Sequence, residues 1–131
     1  MTEMVTVSER AGGKYTNDVK TSRHHLYADE PVKFGSADLG PTPFEYLAAG
    51  LGACTTITLR MYADRKKWPM ESVSVDVVQS RGAEGKHMFT RTLSFTGDLD
   101  EAQRDRLKQI ANKCPVHKVL MAGSDVETVL A

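Results

Sequence analysis

The longest periodic segment of the chain spans residues 42–66 and reads TPFEYLAAGLGACTTITLRMYADRK. Its apolar positions recur at steps of three and four, which predicts a helix of about six turns from Pro43 to Lys66. Thr42 is a good N-cap residue, Pro43 suits the first helical position, and Glu45 can complete a capping box with Thr42. The predicted apolar face of this helix consists of Phe44, Leu47, Leu51, Cys54, Thr58, Met61 and Tyr62.

The middle of this predicted helix is built from small residues, mostly alanine and glycine at positions 48–53. A glycine inside a helix costs about 1 kcal/mol relative to alanine. Small residues also let another backbone approach closely, so we expect the helix to be central rather than superficial. The Trp68-Pro69 pair ends the predicted helix.

Short alternating segments on both sides of the long helix predict antiparallel strands. Before the helix, the predicted strands are 4–7, 15–19 and 23–28, followed by a Gly-, Pro- and Asp-rich loop over 29–43. After the helix, the predicted elements are a strand over 73–77, a turn at 82–85, a strand over 89–95, a helix over 100–113 capped by Asp100, and a strand over 126–130. Strand pairs without regular βαβ alternation indicate an α+β fold.

Length and composition are those of one ordinary domain, with 131 residues and 14.4 kDa, so we expect a single domain over residues 1–131. Lysine and arginine number 17, as do aspartate and glutamate, which leaves no net charge. Nucleic acid and anionic membranes demand a basic surface, so neither is an expected partner. No apolar run approaches the ~20 residues of a membrane span, and the N-terminus lacks a secretion signal. We therefore expect a cytoplasmic protein that covers apolar surface by self-association.

Two cysteines, Cys54 and Cys114, carry the most distinctive chemistry of the sequence. They form no C-x-x-C pair, and a reducing compartment disfavours a structural disulfide. Each lies on the apolar face of its own predicted helix, Cys114 at the C-terminal end of the second one. One interpretation is that both are small buried hydrophobic residues. The other is a reactive pair, in which peroxide oxidises one thiolate to a sulfenic acid and the second thiol condenses with it to a disulfide.

A reactive cysteine needs a nearby cation that lowers its pKa. No lysine or arginine lies one turn from Cys54 on the same helix face, so the cation must come from another segment. Arg23 and Lys33 are the candidates. Glu45 lies about two and a half turns before Cys54. It can orient an arginine through a bidentate ion pair, or it can serve only as a helix cap.

Three histidines are further candidates for metal binding or proton transfer. His24 and His25 are adjacent on a predicted strand and point to opposite faces, so we expect them to share no metal ion. His117 follows the second predicted helix, where it can assist proton transfer or cap helix carbonyls, and we favour capping. We expect no cofactor and no metal site.

Two separated motifs connect the chain to a known family. The sequence GPTPFEYLAAGLGAC occupies residues 40–54, and CPVHK occupies residues 114–118. Together they resemble the signature of the OsmC/Ohr superfamily, which contains osmotically inducible protein C and the organic hydroperoxide resistance proteins. The segments RHHLYADEP at 23–31 and TLRMYA at 58–63 resemble an OsmC-like branch of that superfamily.

The resemblance implies an α+β fold built as an intertwined homodimer, with long central helices packed against antiparallel sheets and active sites at the subunit interface. It also implies a thiol peroxidase that reduces organic hydroperoxides as part of an oxidative stress response. By motif position, Cys54 matches the peroxidatic cysteine and Cys114 the resolving cysteine. Glu45 matches the glutamate that holds a catalytic arginine. An external dithiol of unknown identity would regenerate both thiols.

The catalytic arginine is the point at which this chain departs from the family pattern. In the OsmC subgroup the arginine lies in the loop before the glutamate, where this chain has Phe34-Gly35-Ser36. Other members take it from the first strands, where this chain offers Arg10, Lys14 and Arg23, and we predict Arg23. If no cation reaches Cys54, the alternative is an OsmC-like protein that binds a small ligand or responds to redox state without efficient peroxidase activity.

Overall fold

A computed structural model describes residues 3–131 and divides them into two compact units. The first unit ends at Leu47, and the second covers Ala48–Ala131. The elements in chain order are β1 (Thr6–Glu9), β2 (Asn17–Lys20), β3 (His25–Ala28), α1 (Pro43–Lys66), β4 (Met70–Arg81), β5 (His87–Gly97), α2 (Glu101–Ala111) and α3 (Pro115–Ala122). Helix α1 begins in the first unit and continues into the second. The predicted α+β class with antiparallel sheets is confirmed; the single domain over residues 1–131 stays a prediction.

The first unit contains a three-stranded antiparallel sheet in the order β1-β2-β3. Val7 pairs with Val19, and Val19 pairs with Leu26, so these apolar residues share one face of the sheet. Each strand begins two residues later than predicted. Between β1 and β2, the Arg10 N–H donates to the Thr16 carbonyl oxygen (2.9 Å). This bond closes the turn, and Thr16 and the residue before it lie outside β2.

The carboxylate of Asp29 organises the loop between β3 and α1, and this residue is 1% exposed. Its hydrogen-bond donors are the Thr16 hydroxyl (2.8 Å), the Ser36 hydroxyl, and the backbone N–H groups of Glu30 (2.7 Å) and Leu39 (3.0 Å). Burial raises the pKa of Asp29, but the hydrogen bonds to its charged form outweigh burial, and the pKa lies well below its ordinary value. The carboxylate therefore stays charged and fixes the loop to the turn before β2.

Helix α1 begins at the predicted capping box. The Thr42 N–H donates to the Glu45 carboxylate (2.8 Å), and the Glu45 N–H donates to the Thr42 hydroxyl (3.2 Å). Just before the helix, Gly40 packs on β3 so closely that a Cβ atom there would lie 2.2 Å from the Tyr27 carbonyl oxygen. The Tyr46 hydroxyl donates to the same carbonyl (2.6 Å). The first turn of α1 is therefore fixed to the last strand of the sheet, and only glycine fits at the contact.

The second unit packs α1, the β4–β5 hairpin and α2 around one apolar core. The two strands pair along their length, with Val75 opposite Leu93. Asp100 caps α2 as predicted, because its side chain accepts the Gln103 N–H (2.7 Å). The buried residues of this core are Leu59, Tyr62, Ala63, Met70, Leu99, Leu107, Ile110 and Ala111.

The buried face of α1 differs from the predicted one. Its buried residues are Leu51, Thr55, Leu59, Tyr62 and Ala63. Leu51 and Tyr62 were predicted correctly. Phe44, Leu47 and Met61 are instead 58%, 47% and 67% exposed. The helix is apolar on more than one side, so periodicity alone cannot select the side that packs within the chain.

Two predictions about the C-terminal region are wrong. Cys114 does not end the second helix, which stops at Ala111; it precedes α3, a helix that the pattern did not predict. Proline starts a helix as readily as it follows one, and Pro115 starts α3. Residues 126–130 form no strand, because they are exposed and have no strand partner in the part of the chain that the structure describes.

We expect Asp29→Asn to lower the melting temperature by roughly 5 °C or more at neutral pH, because the amide replaces one acceptor oxygen by an NH₂ donor that faces other donors. The pKa of Asp29 is lowered in the folded chain. The stability it contributes is therefore complete above the unfolded pKa of about 3.9 and is lost as the pH falls below that value. Circular dichroism melts should show the difference between the two proteins shrinking toward acid.

Asp38→Asn is the matched control, since Asp38 is an exposed carboxylate in the same loop. It should leave the melting temperature close to that of the native protein. A deficit for Asp29→Asn that is equal at neutral and acid pH would contradict the charged role of Asp29.

Candidate active site

The two thiols lie in different segments of the second unit and differ in exposure. Cys54 is in the middle of α1 and is half-buried, whereas Cys114 is 0% exposed. Cys114 is the N-cap residue of α3, and its sulfur accepts the His117 N–H (3.4 Å). A sulfur at a helix N-terminus is stabilised in its anionic form by the helix dipole and the free N–H groups. One thiol is therefore accessible, and the other is buried where a thiolate is favoured.

The two thiols are close enough to shift each other's pKa in opposite directions. Burial and then the neighbouring Cys114 thiol raise the pKa of Cys54. Burial also raises the pKa of Cys114, but the Cys54 thiol, the His117 N–H and Thr55 outweigh it, and the net pKa of Cys114 is lowered. The pair loses its first proton as a unit, and the resulting negative charge is favoured on Cys114.

An arginine of β5, Arg91, joins the segments that carry the two thiols. The acceptors of its four hydrogen bonds are Thr55 Oγ1 (3.0 Å), the Ala111 carbonyl oxygen (3.0 Å), Asn112 Oδ1 (3.0 Å) and His117 Nδ1 (2.9 Å). The first acceptor is the residue after Cys54, and the other three flank Cys114. One guanidinium therefore contacts both sides of the thiol pair, although none of these bonds reaches a sulfur.

His117 takes part in this network as a neutral ring. A guanidinium can only donate, so His117 Nδ1 accepts from Arg91 and the ring proton lies on Nε2. Burial and then the adjacent Arg91 charge lower the pKa of His117, which favours the neutral form. His117 lies inside α3 and pairs with Arg91, so its predicted role as a C-terminal cap of the second helix is wrong.

Glu45 and Arg23, the other two predicted site residues, belong to the first unit. The Glu45 carboxylate is engaged in the capping box, so the interpretation of Glu45 as a helix cap is confirmed. Arg23 is exposed in the turn between β2 and β3, where its N–H bonds the Thr21 hydroxyl (3.4 Å). No ion pair joins Arg23 to Glu45 within residues 3–131. A role for either residue toward Cys54 stays a prediction.

The sequence held one signal for Arg91. It shares a face of β5 with Phe89, Leu93 and Phe95, in an alternating pattern that is otherwise apolar. A charged side chain at an inward-facing position must find polar partners there. The partners themselves could not be read from the pattern, because Thr55 lies 36 residues earlier in the chain.

Arg91 also lines two cavities of the second unit, each of about 550 Å³. One lies on the Asn112 side of the guanidinium. The other lies on the His117 side, and its remaining apolar lining includes Leu51, Phe89, Leu120 and Met121. The network is therefore accessible from two sides.

The sequence predicts no shared metal ion at His24 and His25, and the structure gives His25 two partners within the first unit. The His25 ring pairs with the Asp18 carboxylate (2.7 Å) and packs against the Tyr27 ring, with 5.0 Å between ring centroids. Among residues 3–131, no group of three or more His, Cys, Asp or Glu is placed to hold a metal ion. Over the same residues, no helix combines the length and apolar character needed to cross a membrane.

Comparison with known proteins gives the family of the chain. The profile of the OsmC-like protein family matches residues 35–129. The OsmC-like protein from Mycoplasma pneumoniae has 16% sequence identity and a TM-score of 0.77, over 92% of this chain and 88% of that chain. The organic hydroperoxide resistance protein OsmC from Legionella pneumophila has 21% identity and a TM-score of 0.65, over 92% and 89% of the two chains. That from Elizabethkingia anophelis has 19% identity and a TM-score of 0.64, over 91% and 87%.

The α+β fold with antiparallel sheets is that of an OsmC/Ohr-type protein. The chain belongs to the OsmC-like protein family, as its motifs predicted. At these identities the solved structures show a shared fold. No curated protein matches the sequence.

We expect removal of one cysteine to shift the pKa of the remaining thiol, upward for Cys114 and downward for Cys54. In Cys54→Ala, the pKa of Cys114 should rise, because the Cys54 thiol that lowers it is gone. In Cys114→Ala, the pKa of Cys54 should fall, because the Cys114 thiol that raises it is gone. Thiolate absorbance at 240 nm, titrated against pH, measures both values.

The same proteins in denaturant give the reference, which should approach the unperturbed pKa of about 8.5. If the two single-cysteine variants titrate together and the native protein titrates as their sum, the sulfurs do not interact.

Proposed function

We propose that this protein is a thiol-dependent peroxidase that reduces organic hydroperoxides, with Cys54 as the attacking sulfur and Cys114 as the resolving sulfur. The observation that carries the proposal is the contact between a half-buried thiol and a fully buried one at a helix N-terminus. Family membership supports it, since two of the similar solved structures are organic hydroperoxide resistance proteins.

In the first step, Cys54 is the sulfur that a hydroperoxide can reach, because Cys114 has no solvent exposure. The first negative charge of the thiol pair is favoured on Cys114, so the attacking thiolate forms when the Cys54 proton passes to the Cys114 sulfur rather than to water. The Cys54 thiolate attacks the terminal oxygen of R–O–O–H, and the O–O bond breaks. The RO⁻ group leaves and takes the proton that Cys114 had received, which gives the alcohol and returns Cys114 to the thiolate, while Cys54 becomes a sulfenic acid.

In the second step, Cys114 resolves the sulfenic acid. Its sulfur is favoured as a thiolate by the His117 N–H and by its position at the start of α3. The thiolate attacks the Cys54 sulfur, the S–S bond forms, and hydroxide leaves as water after protonation. The two thiols have then supplied the two electrons that reduced the peroxide. An external dithiol restores them by thiol–disulfide exchange.

A homodimer is part of the same proposal. Ile57 and Met61 of α1 are 59% and 67% exposed, which leaves an apolar helix face uncovered in the single chain. A Cβ atom at Gly50 would meet nothing within 4 Å, so a second backbone has room beside the helix. The chain has no net charge to oppose association.

Two free thiols suit the reducing cytoplasm, where we expect the protein to act.

A second candidate is an OsmC-like protein that binds a small ligand or senses redox state without efficient peroxidase activity. The observation that favours it is the engagement of Glu45 in the capping box, with Arg23 in an exposed turn and no ion pair between them. One equivalent of cumene hydroperoxide separates the two candidates. A peroxidase loses both free thiols and gains one internal disulfide, by thiol count and intact mass, whereas a protein that only binds a ligand keeps both thiols after long incubation.

We expect Cys54→Ser to abolish consumption of cumene hydroperoxide, because a serine hydroxyl is not ionised at neutral pH and cannot form a sulfenic acid. Loss of peroxide is followed with a dithiol in excess. Ala53→Ser is the matched control, since it adds a hydroxyl at the preceding, exposed helix position and should retain native turnover. Native turnover by Cys54→Ser would rule out the mechanism.

We expect Cys114→Ser to consume one equivalent of hydroperoxide and then stop, because the sulfenic acid on Cys54 has no partner thiol. Further peroxide should oxidise it to the sulfinic acid, which intact mass shows as a gain of two oxygen atoms. Cys114 is not the resolving thiol if this variant turns over with dithiol as fast as the native protein.

A further inference from the structure

The hydrogen bonds of Arg91 are unusual in that every acceptor is uncharged. The acceptors are a hydroxyl, a backbone carbonyl, an amide oxygen and a neutral imidazole nitrogen. No carboxylate forms an ion pair with this guanidinium among the residues that the structure describes. A half-buried cation without a counter-ion is costly. The positive charge of Arg91 is therefore left available to an anion formed nearby.

The acceptors also come from separate segments. Thr55 belongs to α1, next to Cys54, while Asn112 and His117 lie on either side of Cys114. The guanidinium is planar and presents its donors in a fixed fork, so binding on one side constrains the position of the other. Movement of α1 against the start of α3 would break one set of these bonds.

We propose that Arg91 is the positioning residue that holds the Cys54 and Cys114 sulfurs within reach of disulfide formation. The proposal rests on the proposed function only in taking these two thiols as the reacting pair. Arg91 touches neither sulfur and acts through the segments that carry them.

Thr55 is the closest link between Arg91 and the sulfurs. Its hydroxyl accepts a hydrogen bond from Arg91 (3.0 Å) and donates to the Leu51 carbonyl oxygen (2.7 Å). Thr55 also helps to lower the pKa of Cys114. One hydroxyl therefore connects the guanidinium, the backbone of α1 and the resolving thiol.

The test measures the equilibrium between the dithiol and the disulfide in glutathione buffers, by alkylation and intact mass. We expect Arg91→Met to shift this equilibrium toward the dithiol by about tenfold or more, since small displacements of reacting groups have effects of that size. Arg91→Lys keeps the charge but cannot bridge four acceptors. It should retain more of the thiolate absorbance at 240 nm than Arg91→Met, while its disulfide equilibrium shifts almost as far.

Two further variants keep the test decisive. Arg81→Met is the matched control, because Arg81 is an exposed arginine at the hairpin end that donates to the Gly85 carbonyl (3.1 Å). Thr55→Val is isosteric, removes a single arm of the network, and serves where Arg91→Met does not fold. We expect a smaller shift for Thr55→Val, and no added effect when it is combined with Arg91→Met. A native equilibrium in Arg91→Met or in Thr55→Val would overturn the proposal, and so would strictly additive effects.

The glutathione buffer also separates this proposal from the proposed function, because its oxidised glutathione forms the protein disulfide by thiol–disulfide exchange, without any peroxide, and is itself reduced to two molecules of glutathione. A native protein that forms the disulfide in glutathione but ignores cumene hydroperoxide would refute the peroxidase and leave the Arg91 result standing. A native peroxidase whose Arg91→Met variant keeps the native equilibrium would refute only the role of Arg91.

Discussion

The guanidinium of Arg91 is half-buried, so its N–H groups must find hydrogen-bond acceptors within the protein. This requirement determines how the elements of the second unit meet around the thiols. The apolar core supplies most of the buried area, but apolar contacts fix positions only loosely, since they have no direction. The four hydrogen bonds of Arg91 are directional and reach a long helix, the end of a second helix and the start of a third. The separation of Cys54 and Cys114 follows from where those acceptors lie.

In the first unit, a negatively charged side chain joins separate segments through hydrogen bonds, as Arg91 does in the second. Asp29 is buried with four neutral donors, drawn from the turn before β2 and from the loop that leads to α1. Its charge is stabilised by hydrogen bonds rather than by a cation, and Arg91 likewise has only uncharged partners among the residues that the structure describes. Hydrogen bonds to an ionised group are stronger than those between neutral groups, so one side chain can organise several segments that have little apolar surface of their own.

The parts of the structure that sequence predicted are those that local signals determine. The capping box of Thr42 and Glu45 fixes the start of α1, and the helix spans the predicted residues. The side on which α1 packs was not predictable, because apolar residues occur on several of its faces. The partners of Arg91 were not predictable either, since they come from segments far apart in the chain. Both cysteines were found by motif, but the placement of Cys114 depended on recognising that Pro115 begins a helix.

The position of Cys114 as the N-cap of α3 links the chemistry of the thiols to the local stability of that helix. A sulfur engaged in a disulfide carries no negative charge and is a weaker acceptor for the His117 N–H than a thiolate. Oxidation would therefore weaken the cap of α3, an eight-residue helix with no buried residue to hold it in the single chain. The first turn of α3 would then open more often in the oxidised protein than in the reduced one, and its amide protons would exchange with solvent faster.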